Sequence, residues 1–312
     1  MSVTTAAPLR LSGYVDLPAH VGKGGFDHAA VHAASGHVYV AHTANDAVDV
    51  FDPVARRYLF SVPGLPGVAG ALVSEEAQLI FSSNRGANTI GVFAPGPDPS
   101  VRRFDVGLRP NGLAYDHSRH LVLAANVGDP TVPGSHTLSM IDLATGGRRT
   151  EIAVSGRTRW AVYAAEEDLF FVNIMEPSEI AVVDPRRLDR VARTIAVPHA
   201  GAHGLDYDSA THRLFCACDA GVLVTLDAWS GKVLDEKPLS GVPDVVFFNR
   251  QRRQLYVAVG DPGGIDVFST ESMAKLATVE TEPGAHTSAL SPAGDWLCAF
   301  LPRTHRAAIF ET

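Results

Sequence analysis

The stretches LIFSSN (79–84) and TIGVFA (89–94), joined by the short segment RGAN (85–88), decide the fold of this chain. Two runs of apolar and small residues flank a turn that contains glycine and asparagine, which predicts a β-hairpin. Similar pairs recur along the whole sequence, at 38–42 with 47–52, 121–126 with 137–142, 169–173 with 179–184, 214–219 with 222–227, 255–261 with 264–269, and 296–300 with 307–310.

The hairpins repeat at a spacing of roughly 42 residues, with one longer copy. Each pair is preceded by a further apolar stretch and followed by a more polar one, so every copy contains four short strands. Four strands in a repeat of about 40–45 residues are typical of one blade of a β-propeller. The sequence therefore predicts an all-β fold, a seven-bladed propeller that forms a single domain over residues 1–312.

The last copy of the repeat has only three strands before the chain ends. The missing outer strand is predicted at the other end, because LRLSGYVDLP (9–18) resembles the outer strands FSVPG (60–64), RTIAVP (193–198) and ATVET (277–281). We therefore expect the N-terminal strand to complete the seventh blade and close the ring, which leaves no blade edge unpaired.

Charge and composition exclude several classes of function. A formal net charge of −8 argues against nucleic acid and against anionic membranes as partners, because both require a basic surface. The N-terminus lacks a basic region followed by an apolar core, and no long apolar run occurs, so we expect neither a signal peptide nor a membrane span. The three cysteines are expected to be small buried residues, and we expect a cytoplasmic protein.

The repeat resembles the YVTN-type repeat of seven-bladed propellers, in which a strand like LYVAV (255–259) is followed by a turn and a strand like EIAVVD (179–184). The resemblance extends from about residue 9 to residue 312. It implies a propeller of the kind found in cytoplasmic lactonase-like and surface-layer-like proteins. Related propellers include lactonases, lyases and proteins without known chemistry, so the resemblance implies a fold more firmly than an activity.

Polar residues open the first strand of several predicted blades, where that strand borders the central channel. In blade order the positions hold Asp27, Ala69, Asn111, Arg159, His203, Asp244 and His286, with His28 as a neighbour of Asp27. Blades five and seven share the tripeptide GAH at 201–203 and 284–286, and blade six contributes GVPD (241–244) between them. The sequence therefore predicts that side chains of consecutive blades meet at the top mouth of the channel.

Two imidazoles and one or two carboxylates form a ligand set suited to a divalent cation. We predict His203, His286 and Asp27 (or His28) as ligands of zinc, manganese or another first-row metal, with Asp244 as a further ligand or general base. Arg159, across the ring, is predicted to hold an anionic group of the substrate. A metal in such a site could polarise a carbonyl group or lower the pKa of a bound water.

The sequence is compatible with three interpretations of the mouth. It is a metal site, a metal-free acid–base site in which Asp244, Arg159 and His28 carry the catalysis, or a set of polar residues that only hold ordered water. The first two suggest a hydrolase of lactone-like esters or a lyase acting on a small molecule. The alternative is a non-catalytic scaffold for a ligand or protein partner. The longest top-face loop, at 126–136, is either a lid or a neutral insertion.

Overall fold

The computed structural model describes residues 8–312, without the side chains of Arg148 and Arg149. Residues 1–7, on which the expectation about a signal peptide partly rests, lie outside the described residues. The strands are β1 (Arg10–Asp16), β2 (Phe26–His32), β3 (His37–His42), β4 (Ala47–Asp52), β5 (Arg57–Val62), β6 (Val68–Ser74), β7 (Leu79–Asn84), β8 (Thr89–Phe93), β9 (Arg102–Asp105), β10 (Pro110–Asp116), β11 (Leu121–Asn126), β12 (Thr137–Asp142), β13 (Gly147–Ala153), β14 (Thr158–Ala164), β15 (Leu169–Ile174), β16 (Glu179–Val183), β17 (Arg193–Ala196), β18 (Ala202–Asp208), β19 (Arg213–Cys218), β20 (Val222–Asp227), β21 (Val233–Pro238), β22 (Val242–Asn249), β23 (Gln254–Asp261), β24 (Gly264–Ser269), β25 (Lys275–Glu280), β26 (Ser288–Leu290), β27 (Trp296–Leu301) and β28 (Arg306–Glu311).

These strands form seven antiparallel sheets of four strands each, which confirms the predicted seven-bladed propeller. Blades one to six are consecutive in sequence, from β2–β5 to β22–β25. A short 3-10 helix at Thr43–Asn45 interrupts one turn. None of the described residues belongs to a helix that is long and apolar enough to cross a membrane.

The ring closes as the sequence predicts, because β1 is the outer strand of the blade that also contains β26, β27 and β28. Leu11 pairs with Phe310 and Val15 pairs with Ala307 in an antiparallel register. Val15 is buried, and it packs with Phe300 in the apolar cluster between blades seven and one. The N-terminal strand therefore contributes both backbone hydrogen bonds and apolar contacts to the closure.

The core consists of seven apolar clusters, one between each pair of neighbouring blades. Strands such as β11 and β19 are apolar at nearly every position, because both of their faces are covered by an adjacent blade. The outer strands are half-exposed and alternate polar with apolar residues, as in β21. This arrangement leaves the edges of the seven inner strands around a central channel.

Candidate functional site at the top mouth of the channel

The inner strands are irregular at the positions predicted to hold site residues. In blade one, the pairing of β2 with β3 shifts between Phe26 and Ala29, so Asp27 and His28 lie in a β-bulge. Equivalent shifts occur in β6, β10, β14, β18 and β22. A bulge turns side chains out of the regular alternation. The repeated bulge therefore gives each of blades one to six a place from which a side chain can reach the channel mouth, whereas His286 of blade seven precedes its strand.

Blades five, six and seven meet through the carboxylate of Asp244. The Nε2 atom of His203 lies 3.1 Å from Oδ1 of Asp244, and Nε2 of His286 lies 3.9 Å from Oδ2. On its other side, Nδ1 of His203 is 2.7 Å from Oδ1 of Asp219, which follows β19. The Oδ2 atom of Asp219 lies 3.5 Å from a terminal nitrogen of Arg159. A continuous chain of five ionisable side chains thus runs from blade seven to blade four.

Two neighbouring members of this chain, His203 and Asp244, shift each other's pKa in opposite directions. Burial favours the neutral form of His203, but the carboxylates of Asp244 and Asp219 outweigh it and raise its pKa to about 9. Burial also favours the neutral form of Asp244, but His203 and then His286 and His28 lower its pKa below the ordinary value. At neutral pH the pair is therefore an imidazolium and a carboxylate, in side chains that are only 13% and 16% exposed.

His28 is a buried imidazole of the opposite character. Burial lowers its pKa, and this effect outweighs the attraction of Asp27 and Asp244. Its Nε2 atom lies 3.4 Å from Oδ1 of Asp27, whose Oδ2 lies 3.7 Å from Arg85. His28 is therefore neutral at pH 7, so a neutral base and an imidazolium acid face the same channel mouth.

Arginines collect on the other side of the mouth. Burial lowers the pKa of Arg157, and the nearby charges of Arg159, Arg85 and Arg109 lower it further. The lowered pKa of Arg157 shows that the neighbouring positive charges repel its guanidinium group, and Asp219 offsets only part of this effect. An anionic group bound among the four guanidinium groups would remove that repulsion and accept charge-assisted hydrogen bonds.

Several buried polar atoms at the mouth have no hydrogen-bond partner among the described residues. They are Nε of Arg85, Oδ1 of Asn111 and Nε of Arg159. The carboxylate of Asp244 differs from them, because Nε2 of His203 lies 3.1 Å from its Oδ1 atom. Buried polar groups in folded proteins are nearly always satisfied. Three such atoms from three blades leave capacity at the mouth for hydrogen bonds to ordered water or to a ligand.

The backbone around His203 is held by residues of the neighbouring blades. The side-chain amide of Asn173, at the end of β15, donates hydrogen bonds of 2.9 and 3.0 Å to the carbonyl oxygens of His203 and Gly204. Gly204 is required for the close approach of blade six, because a Cβ atom there would lie 2.0 Å from the carbonyl oxygen of Asp244. These contacts fix the position of His203 relative to Asp244.

The floor of the mouth is formed by three rings that meet across the channel. The imidazole of His28 lies 4.2 Å from the ring of Trp160, between ring centroids, and Trp160 lies 6.3 Å from Phe247 in an edge-to-face contact. Trp160 also packs against the apolar cluster between blades four and five, which is the packing role that its position in an inner strand suggests.

Five of the six predicted site residues lie near one another at the mouth. Both His203 and His286 approach the carboxylate of Asp244, and Arg159 is linked to them through Asp219. The charges of Asp244 and His203 also act on the pKa of His28. Asp27 contacts His28 and Arg85 instead of the two imidazoles. Within residues 8–312, no group of three or more His, Cys, Asp or Glu side chains is arranged to hold a metal ion. The metal-ligand assignment stays a prediction.

Sequence reasoning missed four residues of the site, Arg85, Arg109, Arg157 and Asp219. They lie in loops on the top face, after the second strand or before the first, and not in the inner strands. The repeat held a signal for two of them, because Arg85 and Asp219 each directly follow a second strand, at equivalent positions in blades two and five.

Comparisons with known proteins show the fold alone. No protein-family model matches the chain, and no curated protein matches its sequence. A chain in a structure described as the mitotic checkpoint complex is similar over 100% of this chain and 94% of its own length, with a TM-score of 0.82 and 11% identity. A chain of hydrazine synthase from Kuenenia stuttgartiensis is similar over 96% of this chain and 99% of its own length, with a TM-score of 0.82 and 14% identity.

Proposed function

We propose that this propeller is an enzyme that binds a small carboxylate-bearing molecule at the top mouth and moves protons to and from it there. The observation that carries the proposal is the set of buried polar atoms without a hydrogen-bond partner on Arg85, Arg159 and Asn111. An unsatisfied buried polar group costs about 1–3 kcal/mol, more when charged. The propeller fold does not need these groups at the channel mouth, so we infer that a ligand satisfies them.

The arginines of blades two to four would bind the anionic group, and blades five to seven would carry the chemistry. His28, neutral at pH 7, would take a proton from a water or from the carbon next to the carboxylate. The imidazolium of His203 would stabilise the oxyanion that forms and give its proton to the leaving oxygen. Asp244 and Asp219 would keep His203 charged and oriented. Removal of a proton from water leads to hydrolysis of a lactone-like ester, and removal of the proton from carbon leads to elimination, as in a lyase.

We further infer that the chain belongs with the YVTN-type propellers and acts in the cytoplasm. The seven regular four-stranded blades support membership of the YVTN-type propellers. The cytoplasmic location is supported by the three cysteines, Cys216, Cys218 and Cys298, which are buried and unpaired, as expected in a reducing compartment.

The test combines a binding measurement with turnover assays. Malonate is the binding probe, and its binding is measured by calorimetry. Carboxylate-bearing lactones and β-hydroxy carboxylates are the candidate substrates for the turnover assays. We expect Arg159→Gln to weaken malonate binding at least about tenfold, and the exposed outer-strand variant Arg57→Gln to leave it unchanged. His28→Gln should abolish turnover and retain malonate. If malonate does not bind, or binds both arginine variants equally, the proposal is wrong.

A metal-dependent form of the same site is the second candidate. Both imidazoles approach the one carboxylate of Asp244, at 3.1 and 3.9 Å, so nitrogen and oxygen donors from three blades already face one another. Asp27 would have to leave Arg85 to join them. Elemental analysis of undialysed protein separates the candidates. About one equivalent of zinc or manganese, lost in His203→Ala and in His286→Ala, supports the metal, whereas less than about a tenth of an equivalent with no uptake excludes it.

The competing class of function is a non-catalytic scaffold. It predicts that malonate binds, that no candidate substrate is hydrolysed or undergoes elimination, and that His28→Gln leaves malonate binding unchanged. Binding that depends on Arg159, together with turnover that depends on His28, distinguishes the enzyme from the scaffold.

A further inference from the structure

A cavity lies in the channel beneath the top mouth, within the described part of the chain. Its volume is about 520 Å³, and the inner strands of all seven blades line it. This volume lies within the range of about 300–1,000 Å³ that is typical of small-molecule sites. Most of the wall is apolar, with Ala30, Leu72, Val162 and Leu290 among its residues.

The cavity and the mouth share the rings of His28, Trp160 and Phe247, but none of the charged residues of the mouth lines the cavity. His28, Trp160 and Phe247 line its upper end, and their rings meet across the channel. Asp27, Arg159, His203, Asp244 and His286 are not part of the wall. The cavity continues downward to the bottom-face turns at Ser74 and His117, so a ligand would approach from the face opposite the mouth.

The charged and aromatic residues of the wall all favour a positively charged ligand. Among the described residues that line the cavity, the acidic ones are Glu76 and Asp206, and none is a lysine or arginine. Four aromatic side chains also line it, namely Tyr115, Trp160, Tyr163 and Phe247. Aromatic faces attract cations, and carboxylates pair with them. This cavity thus favours a cation, whereas the arginines of the mouth favour an anion.

Asp206 is the acidic group inside the channel wall. Its two carboxylate oxygens accept hydrogen bonds of 2.7 Å from the backbone amides of Tyr207 and Phe248. Arg250, whose charge acts on it, donates a hydrogen bond to Ser209 instead. Burial raises the pKa of Asp206 to about 6, so the carboxyl group is ionised at pH 7.5. Each oxygen keeps a further lone pair for a ligand.

We propose that the lower channel is a second binding site, for a small, mainly apolar molecule that carries one ammonium group. The ammonium group pairs with Asp206, and the apolar part lies among the aliphatic and aromatic residues of the wall. The site is distinct from the anion site, because the mouth arginines and the residues His203, Asp244 and His286 do not line the cavity.

Three probes with the same ring and different end groups test the proposal. They are phenethylamine, which is protonated at pH 7.5, phenethyl alcohol and phenylacetate, each measured by calorimetry on the full chain. We expect the amine to bind at least about tenfold more tightly than the alcohol, and phenylacetate to show no binding in the channel. Malonate at saturation should leave the affinity for the amine unchanged.

Two variants locate the binding. Asp206→Asn should reduce the affinity for the amine to that for the alcohol, while Asp105→Asn, an exposed outer-strand carboxylate, should not change it. Ala30→Phe should fill the channel and remove the binding of both. Absence of amine binding, equal binding of the three probes, or an unchanged affinity in Asp206→Asn would overturn the proposal. If Asp206→Asn does not fold, the probe series and Ala30→Phe decide.

Discussion

The Nε2 atom of His203 lies 3.1 Å from Oδ1 of Asp244, although the two residues belong to different blades and are both largely buried. A buried ion pair is a poor source of stability, because the loss of solvation offsets much of the attraction. Removal of one partner nevertheless leaves an uncompensated charge. The pair is therefore better explained by its position at the channel mouth than by the needs of the fold.

The first prediction concerns the pH dependence of stability. The pKa of His203 is raised from 6.5 to about 9, against the effect of burial, by Asp244 and Asp219. Its contribution is therefore fully present below about pH 6.5 and is lost as the pH rises through about 9. We expect the stability advantage of the wild type over His203→Gln, measured by urea unfolding, to shrink by about 3 kcal/mol between pH 6 and pH 10. Parallel stability curves would show that the pair is not charged as described.

The second prediction concerns the close approach of blades five and six. Gly204→Ala places a Cβ atom 2.0 Å from the carbonyl oxygen of Asp244, so the backbone must shift. We expect a loss of about 3 kcal/mol in the free energy of unfolding, together with weaker malonate binding. Gly25→Ala is the control, because the nearest atom would lie at an ordinary 3.6 Å. Equal melting temperatures for the two variants would contradict the packing described here.

The third prediction concerns ring closure. Val15, buried in β1, is 1% exposed, and its neighbour Tyr14 is 45% exposed. Val15→Asp should destabilise the protein by about 3 kcal/mol or more, because a charge enters the cluster between blades seven and one. Tyr14→Asp should have little effect. Deletion of residues 1–18 should lower the melting temperature more than either. A truncated protein that melts within a degree or two of the full chain would refute closure by β1.

The fourth prediction concerns cooperation between His203 and His286. Both contact Asp244, so their effects on turnover should not add. We expect His203→Ala to remove nearly all turnover and His286→Ala most of it, with the double variant no worse than His203→Ala. The exposed bottom-face residues His117, His120 and His212 serve as controls, and their joint replacement by Gln should leave turnover nearly unchanged. Additive losses would mean that the two imidazoles act in separate sites.

Much of the fold could be predicted from the sequence, because the second and third strands of each blade carry the repeated apolar pattern. Strands β7, β11 and β12 begin and end where the sequence predicts. The inner strands were less regular, since the bulges shift the register and His286 precedes its strand by two residues. Arg85, Arg109, Arg157 and Asp219 were not assigned to the site, because their proximity depends on how loops of different blades curve towards the channel axis.

A titration of the histidine NMR signals with malonate is the decisive test of the anion site at the top mouth. The protein carries ¹³C-labelled histidine, and single His→Gln variants assign the NMR signals. We predict saturable shifts of the His28 and His203 signals, with those of His117 and His120 on the opposite face unchanged. Unchanged signals of His28 and His203 at millimolar malonate, or equal shifts of the bottom-face histidines, would contradict an anion site at the top mouth.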